Sequence, residues 1–314
     1  TGTDGGIVAT SLAVTAGGAV NITDTTTNLT TVAVDTSTGA VTLVEADGFT
    51  VGTVDSVTGI DTDSGAISLT ATTGNVSVSN TGATDDIAGT STVAITLSGN
   101  DATLTIAASA DIESTGGAHT YIADKMALAG TVTATGQTVT LKTDTAADAV
   151  DLGSSTDAAG STLELSSTEL GNIAGSTLVL GASDQGAVTV SAAIAPAIST
   201  VHVKSTGAVN AASGAITATS LAVSAGGAVT LSNASNALGT VAITTDTAGN
   251  LSVTDSNGFT VGTVDSVAGV VANDGSVTLT PGGTLVATQA VTAAGSGNAL
   301  TVSGDNAITL SGVT

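Results

Sequence analysis

The sequence predicts an all-β chain wound as an elongated β-solenoid, and three observations predict it. Apolar residues alternate with small or polar ones in short runs along all 314 residues, the period of half-buried strands. Clusters of Gly, Asn, Asp and Ser separate the runs, and these residue types accept the left-handed backbone that tight corners need. Long segments also recur, as in an array whose parts need only their neighbours to bury a face.

Composition narrows the class further. Val, Ile, Leu and Ala supply nearly all of the 41% hydrophobic content, while Phe49, Phe259 and Tyr121 are the only aromatic residues. A compact globular centre usually needs large rings. Small branched side chains suit a narrow core of constant width instead. Good helix formers such as Glu, Lys, Arg, Gln and Met are scarce, so no long helix is expected. The formal charge is −23, yet charged residues are only 9%, too few for a disordered polyelectrolyte.

Taken in order, the alternating pairs begin at Leu12 and Val14, Val20 and Ile22, Val32 and Val34, and Val41 and Leu43. They continue through Ile67 and Leu69, Val76 and Val78, Ile95 and Leu97, and Leu104 and Ile106. Beyond these come Val139 and Leu141, Leu163 and Leu165, Leu178 and Leu180, Val188 and Val190, and Val201 and Val203. Two architectures fit strands so short and so regularly spaced: a β-solenoid with two or three strands per coil, or tandem β-sandwich domains of about 100 residues. The solenoid is preferred, because sandwich modules usually carry a Trp or Tyr at their heart and residues 105–210 do not visibly repeat 1–104. Coils of about 20 residues, each rising about 4.8 Å, would give about 15 coils.

The repeats set the domain organisation. TSLAVTAGGAV at residues 10–20 returns as TSLAVSAGGAV at 219–229, an offset of 219 − 10 = 209. GFTVGTVDSV at 48–57 recurs letter for letter at 258–267, and AITLSG at 94–99 returns at 307–312, so the offset drifts to 210 and then 213. Residues 1–209 are therefore expected to form a first unit and 210–314 a partial second copy. The second copy stops part-way through the unit, so a longer parent chain is expected.

The segment DAVDLGSSTDAAGSTLELSSTELGNIAGSTLVLGASDQGAVTVSAAI, residues 148–194, resembles a stretch of the filamentous-haemagglutinin-like exoproteins of bacteria. The likeness lies in VDLG, a Leu-x-x-x-Glu-Leu turn, a small-residue strand and GAVTVSAAI. Resemblance to that family implies a right-handed parallel β-helix, secretion, and a role as an adhesin or extended surface fibre at the cell surface. Within the segment, residues 166–170 are expected either to form a short helical turn with Ser167 capping and Glu169 near its positive end, or to be a polar corner.

Partners and chemistry are constrained mostly by what is scarce. With Lys125, Lys142 and Lys204 as the only Lys or Arg, the chain cannot displace the counterions of nucleic acid or grip anionic lipid. There is no cysteine, hence no disulfide or thiolate site. No apolar run approaches the roughly 18 residues of a spanning helix, so no transmembrane segment is expected. A secretion signal is absent from the start at Thr1 and is expected to have been removed or to lie outside the sequence.

The one chemically varied patch is His119, Tyr121, Asp124 and Lys125, beside Met126. It is either a small binding spot on a loop or bulge, or an irregular coil whose His119 and Tyr121 share one exposed face. His202 and Lys204 are expected on the solvated side of a strand. Asp61, Asp63 and Gly65 imitate the start of a calcium loop, yet their counterparts in the second copy are Val271, Asn273 and Gly275, and no Glu follows at EF-hand spacing. No cofactor is therefore expected, with calcium as the one alternative. Thr-x-Thr pairs such as Thr131 and Thr133 are spaced too irregularly for an ice-binding face. With two histidines, no GxSxG elbow and no Arg, an enzyme is not expected.

The expected function is thus structural: an extracellular, stiff β-solenoid shaft of a bacterial surface fibre or giant adhesin, stacking with adjoining repeats or copies of itself. The alternative is an adhesive module that recognises a glycan or receptor through a lateral face.

Overall fold

A computed structural model describes residues 5–82, 86–304 and 306–310. The chain is all-β, 54% strand and 2% helix, and its parallel sheets stack as a β-solenoid of about 13 turns. Tandem sandwiches would require antiparallel ladders throughout. The long ladders that stack coil on coil are parallel, and antiparallel pairing is seen in two hairpins of two-residue strands. The turns are fewer than about 15 because many coils exceed 20 residues. Paired residues are 20 apart at Val8 and Asn28, 26 apart at Val41 and Ile67, and 28 apart at Val76 and Leu104.

The chain forms two compact units. The first comprises Thr1–Thr145, Asp157–Leu163 and Asn172–Ser176, and the second Ala146–Thr156, Glu164–Gly171 and Thr177–Thr314. This division is distinct from the 209-residue copying period. Ser311 and Gly312 of the second AITLSG lie outside the described residues.

In the first unit, Val8–Ala16 pairs with Asn28–Thr36, whose other edge serves two strands in succession, Gly48–Val51 and Ile60–Thr62. Each of these starts its own column of coils. A third column runs through Val41–Glu45, Ile67–Ala71, Val93–Leu97, His119–Ile122 and Thr138–Lys142. Alternation aims every second side chain inward, and register stacks like on like: Val34, Ile60, Ile87, Ile112, Val132 and Ile173 form one buried column. Burying each such side chain contributes about 1.5–3 kcal/mol.

The second unit repeats the plan. Thr200–Ser205, Thr217–Ala225 and Ala237–Ala248 pair in order, and the last again serves two strands, Thr260–Val261 and Val270–Asp274. Val150, Val188, Val209, Val229, Leu251 and Val277 stack inward on a second sheet. The step from Val150 to Val188 spans 38 residues, the longest coil of this unit. That coil carries the short helix Ser167–Gly171. Its cap is Ser166 and not Ser167: the Ser166 amide donates to Glu169 Oε2 at 2.8 Å, and the Glu169 amide donates to Ser166 Oγ at 3.2 Å, a capping box. The Ser167 hydroxyl instead accepts from the Ala195 amide at 3.1 Å.

The copied GFTVGTVDSV segment is a strand followed by a looped-out hairpin. Residues 53–58 form the first hairpin and 263–268 the second, closed by Gly59 N to Gly52 O at 2.9 Å and Gly269 N to Gly262 O at 2.8 Å. Both tips hold Asp-Ser at positive φ, 47° and 70° for Asp55 and Ser56, 42° and 70° for Asp265 and Ser266. Two left-handed central residues make a type I′ turn, which usually takes Asn-Gly. Keeping Asp-Ser there costs about 1 kcal/mol or more per residue. Each copy also retains a glycine before the hairpin, Gly48 at φ 114° and Gly258 at φ 104°, where a Cβ would sit 2.4 Å from Asn75 O and 2.5 Å from Thr284 O.

Candidate functional site

The varied patch is not a surface. His119 and Tyr121 are both wholly buried, because strand alternation points them inward and sends Thr120 and Ile122 outward. Tyr121 stands in the column of Leu43, Leu69, Ile95 and Leu141, and His119 in that of Val41, Ile67, Val93 and Val139. The expected shared exposed face is thus corrected: both rings replace aliphatic side chains in the core.

Such polar groups are tolerated in a core only when their hydrogen bonds are complete. Ser114 Oγ donates to Gly117 O at 2.7 Å, so it accepts from His119 Nε2 at 2.8 Å. The imidazole is then the Nε2–H tautomer, and its bare Nδ1 accepts the Tyr121 hydroxyl at 2.9 Å. Burial lowers the His119 pKa to about 4 and raises that of Tyr121 well above 10. The relay Tyr121, His119, Ser114, Gly117 is closed and neutral.

Asp124 and Lys125 part company. Asp124 is buried, and its carboxylate accepts from the amides of Asp101 at 3.2 Å and of Asp144 and Thr145 at 3.1 Å. Burial, and then the Asp124 charge, raise the Asp144 pKa. Lys125 points outward and lies 3.7 Å from the more exposed Asp101, a surface pair worth about 0–1 kcal/mol. Of the four residues, only Lys125 reaches solvent.

Asp124 belongs to a class that sequence reading missed. Asp86, Glu45 and Asp255 are buried too, each accepting backbone N–H groups from a corner and from an adjoining coil. Asp86 accepts from the amides of Thr81 at 2.7 Å and Asp111 at 3.0 Å. Glu45 accepts from Leu29, Asp47 and Gly48, and Asp255 from Leu238, Asn257 and Gly258. The shared place of Glu45 and Asp255 in the 210-residue offset was the available signal.

His202 is also buried, 3% exposed, although an outward position on its strand predicts a solvated ring. The second hairpin folds over that outer face, where Val264 packs on Ala222 and Ala242 with Val267 at the margin. His202 Nδ1 donates to Asp265 Oδ2 at 2.6 Å, and Nε2 accepts from Ser224 Oγ at 2.9 Å. Burial lowers the His202 pKa, opposed by the Asp265 hydrogen bond and charge, and Lys204 lowers it further. Lys204 itself is half-buried.

At the calcium-like sequence, the residue between the aspartates does the structural work. Thr62 points inward and donates to Gly65 O at 2.9 Å, as Thr36 does to Gly39 O at 3.2 Å and Ser114 to Gly117 O. Asp61, Asp63 and Glu113 line a shallow outer cleft of about 250 Å³. Asp61 and Glu113 stand two rungs apart, with Ala88 between them in register. Among the described residues, no group of three or more His, Asp or Glu side chains is placed to hold a metal ion.

No described helix is long and apolar enough to cross a membrane. No family model, curated protein or solved structure matches the chain.

Proposed function

We propose that this chain is a stiff β-solenoid segment of a secreted bacterial surface fibre or giant adhesin, serving by architecture and not by catalysis. One observation carries the reading: between the copies the core positions and the buried corner are kept, whereas the carboxylates of the outer cleft are not. Leu29, Val32, Val34 and Phe49 have their counterparts in Leu238, Val241, Ile243 and Phe259, all buried. The corner carboxylate persists as Glu45 and Asp255, whereas Asp61 and Asp63 become Val271 and Asn273. Selection on a binding or catalytic face would preserve the opposite set. Continuous backbone ladders between coils supply the stiffness.

The bacterial and extracellular setting rests on the resemblance of residues 148–194. A lateral adhesive face would need exposed aromatic or charged groups, and His119, Tyr121 and Asp124 are turned inward, so the structural role is favoured. Electron microscopy of the native parent molecule tests it. Uniform fibres or rods labelled along their length by an antibody to this segment are expected; globular particles would overturn it.

A further inference from the structure

One kind of corner carries a chemical hazard, and the fold sets a carboxylate beside it. Each copy turns from its buried corner carboxylate into the next strand through a glycine, Gly48 at φ 114° or Gly258 at φ 104°. Side chains are excluded there, because a Cβ on Gly258 would lie 2.5 Å from Thr284 O and one on Gly48 2.4 Å from Asn75 O. The residue before the glycine is exposed and polar in both copies, Asp47 in the first and Asn257 in the second. Asn257-Gly258 is the one Asn-Gly dipeptide of the chain.

Asn-Gly pairs are prone to succinimide formation, since glycine has no Cβ to shield its nitrogen. In that reaction the Gly258 nitrogen gives up its proton and bonds to Asn257 Cγ, the Cγ–Nδ2 bond breaks, and ammonia leaves with the proton. Water then opens the ring to aspartate or isoaspartate. Isoaspartate routes the main chain through one extra carbon, which would push Thr260 and Val261 out of register with Thr240 and Val241.

The corner opposes the first step. The Gly258 N–H donates to Asp255 Oδ1 at 2.6 Å, and the same oxygen accepts the Asn257 N–H at 2.9 Å. A buried carboxylate against the nitrogen resists loss of its proton, because two negative charges would then adjoin. These bonds also fix the nitrogen within the corner, while Asn257 lies at the surface. The first copy has the same arrangement, with Glu45 Oε2 accepting from the Asp47 and Gly48 amides. There Asp47 is restrained further by Asn28 Nδ2, 2.8 Å from its Oδ2, a tie that Ala237, the counterpart of Asn28, cannot make.

We propose that Asn257 is a latent deamidation site, and that Asp255, besides satisfying the amides of the corner, keeps it shut. The modification is spontaneous, needs only water, and proceeds when the corner opens. Chemical durability of this corner is independent of the fibre reading, so either can fail alone.

Ageing the full chain at mildly alkaline pH, folded or in urea, tests this, with aspartate and isoaspartate at position 257 followed by peptide-mapping mass spectrometry. The folded chain is expected to deamidate at Asn257 about a hundredfold or more slowly than the chain in urea, at a rate set by local opening. Asp255→Ala should return about tenfold or more of that rate. Asp255→Asn serves in its place if the alanine variant does not fold. Asp255→Glu, which brings in the carboxylate of the first copy, should keep the protection. Phe259→Leu loosens the adjoining core but leaves Asp255 in place, so its acceleration should stay well below that of Asp255→Ala. Deamidation of the folded chain at the urea rate would overturn the proposal. So would an unchanged rate without the Asp255 carboxylate, or an acceleration by Asp255→Glu or Phe259→Leu equal to that of its removal.

Discussion

Glu45 and Asp255 hold the same corner of the two copies with side chains of different length. Glu45 Oε1 accepts from Leu29 N at 3.0 Å, and Asp255 Oδ2 accepts from Leu238 N at 2.7 Å. The other oxygen of each gathers the two amides that lead into the next strand, those of Asp47 and Gly48 or of Asn257 and Gly258. What is retained is a buried acceptor for three N–H groups, whichever carboxylate supplies it. Asp255→Asn puts an NH2 group against those donors and is expected to destabilise the second unit by about 2 kcal/mol, whereas Asp255→Glu costs less than about 1 kcal/mol. Urea denaturation of the two variants compares them. Equal effects would show that charge-neutral geometry suffices.

The buried histidine makes stability depend on acid. An unfolded imidazole titrates near 6.5 and the folded His119 near 4, so between these values the unfolded chain binds the extra proton. The contribution is fully present above about pH 6.5 and declines as pH falls toward about 4, by an amount on the order of 3 kcal/mol. His202 is lowered as well and acts in the same direction. His119→Gln is expected to reduce the proton uptake on unfolding at pH 5 by close to one, read from the slope of unfolding free energy against pH. An NMR titration that finds the His119 ring protonating at its ordinary pH would contradict the closed relay.

The second hairpin is tethered mainly through one pair. His202→Ala and Asp265→Ala each remove the 2.6 Å hydrogen bond, so their effects should not add. A double-mutant cycle is expected to return a coupling of about 1–3 kcal/mol. Asp55→Ala, at the matching tip of the first copy, should cost under about 0.5 kcal/mol, the level of an ordinary surface substitution. Coupling near zero would mean that the apolar contact of Val264 with Ala222 and Ala242 suffices to hold the hairpin.

One buried group in the first copy lacks what its twin has. Thr27 Oγ1 is buried without a hydrogen-bond partner, while its counterpart Asn236 accepts from Ile216 N at 2.8 Å and donates to Leu231 O at 3.1 Å and Thr254 O at 3.0 Å. The threonine side chain is too short and has one polar atom where the amide has two. Thr27→Asn should restore the bridge and stabilise the first unit by about 1 kcal/mol. Thermal or chemical unfolding measures it, and a loss of stability would show that the corner has settled around the smaller residue.

The strands were legible because alternation is local: a pair such as Ile67 and Leu69 announces its inward face within three residues. His119 and Tyr121 were legible in principle by the same rule, since they alternate with Thr120 and Ile122, but polarity outweighed phase. Comparing coils resolves it, for Val139 and Leu141 occupy the same two columns 20 residues later. His202 was beyond any local rule. Its cover comes from residues 263–268, more than 60 positions away, and strand periodicity carries no signal for a hairpin that folds back over an outer face. The corner carboxylates fall between these cases, hidden in one copy and exposed to comparison by two.

Coil length varies from 19 residues at Thr31 to Thr50 to 28 at Val76 to Leu104 in most steps, and reaches 41 at Val132 to Ile173 and 38 at Val150 to Val188, while these paired strands stay in register. Added residues therefore leave sideways at a corner, and the rise per turn does not record them. Evolution can thus decorate such a chain without changing its reach, and the drift of the copies from 209 to 213 is the trace of that freedom. Relatives of this repeat are best aligned rung by rung, with gaps free at corners and forbidden in strands.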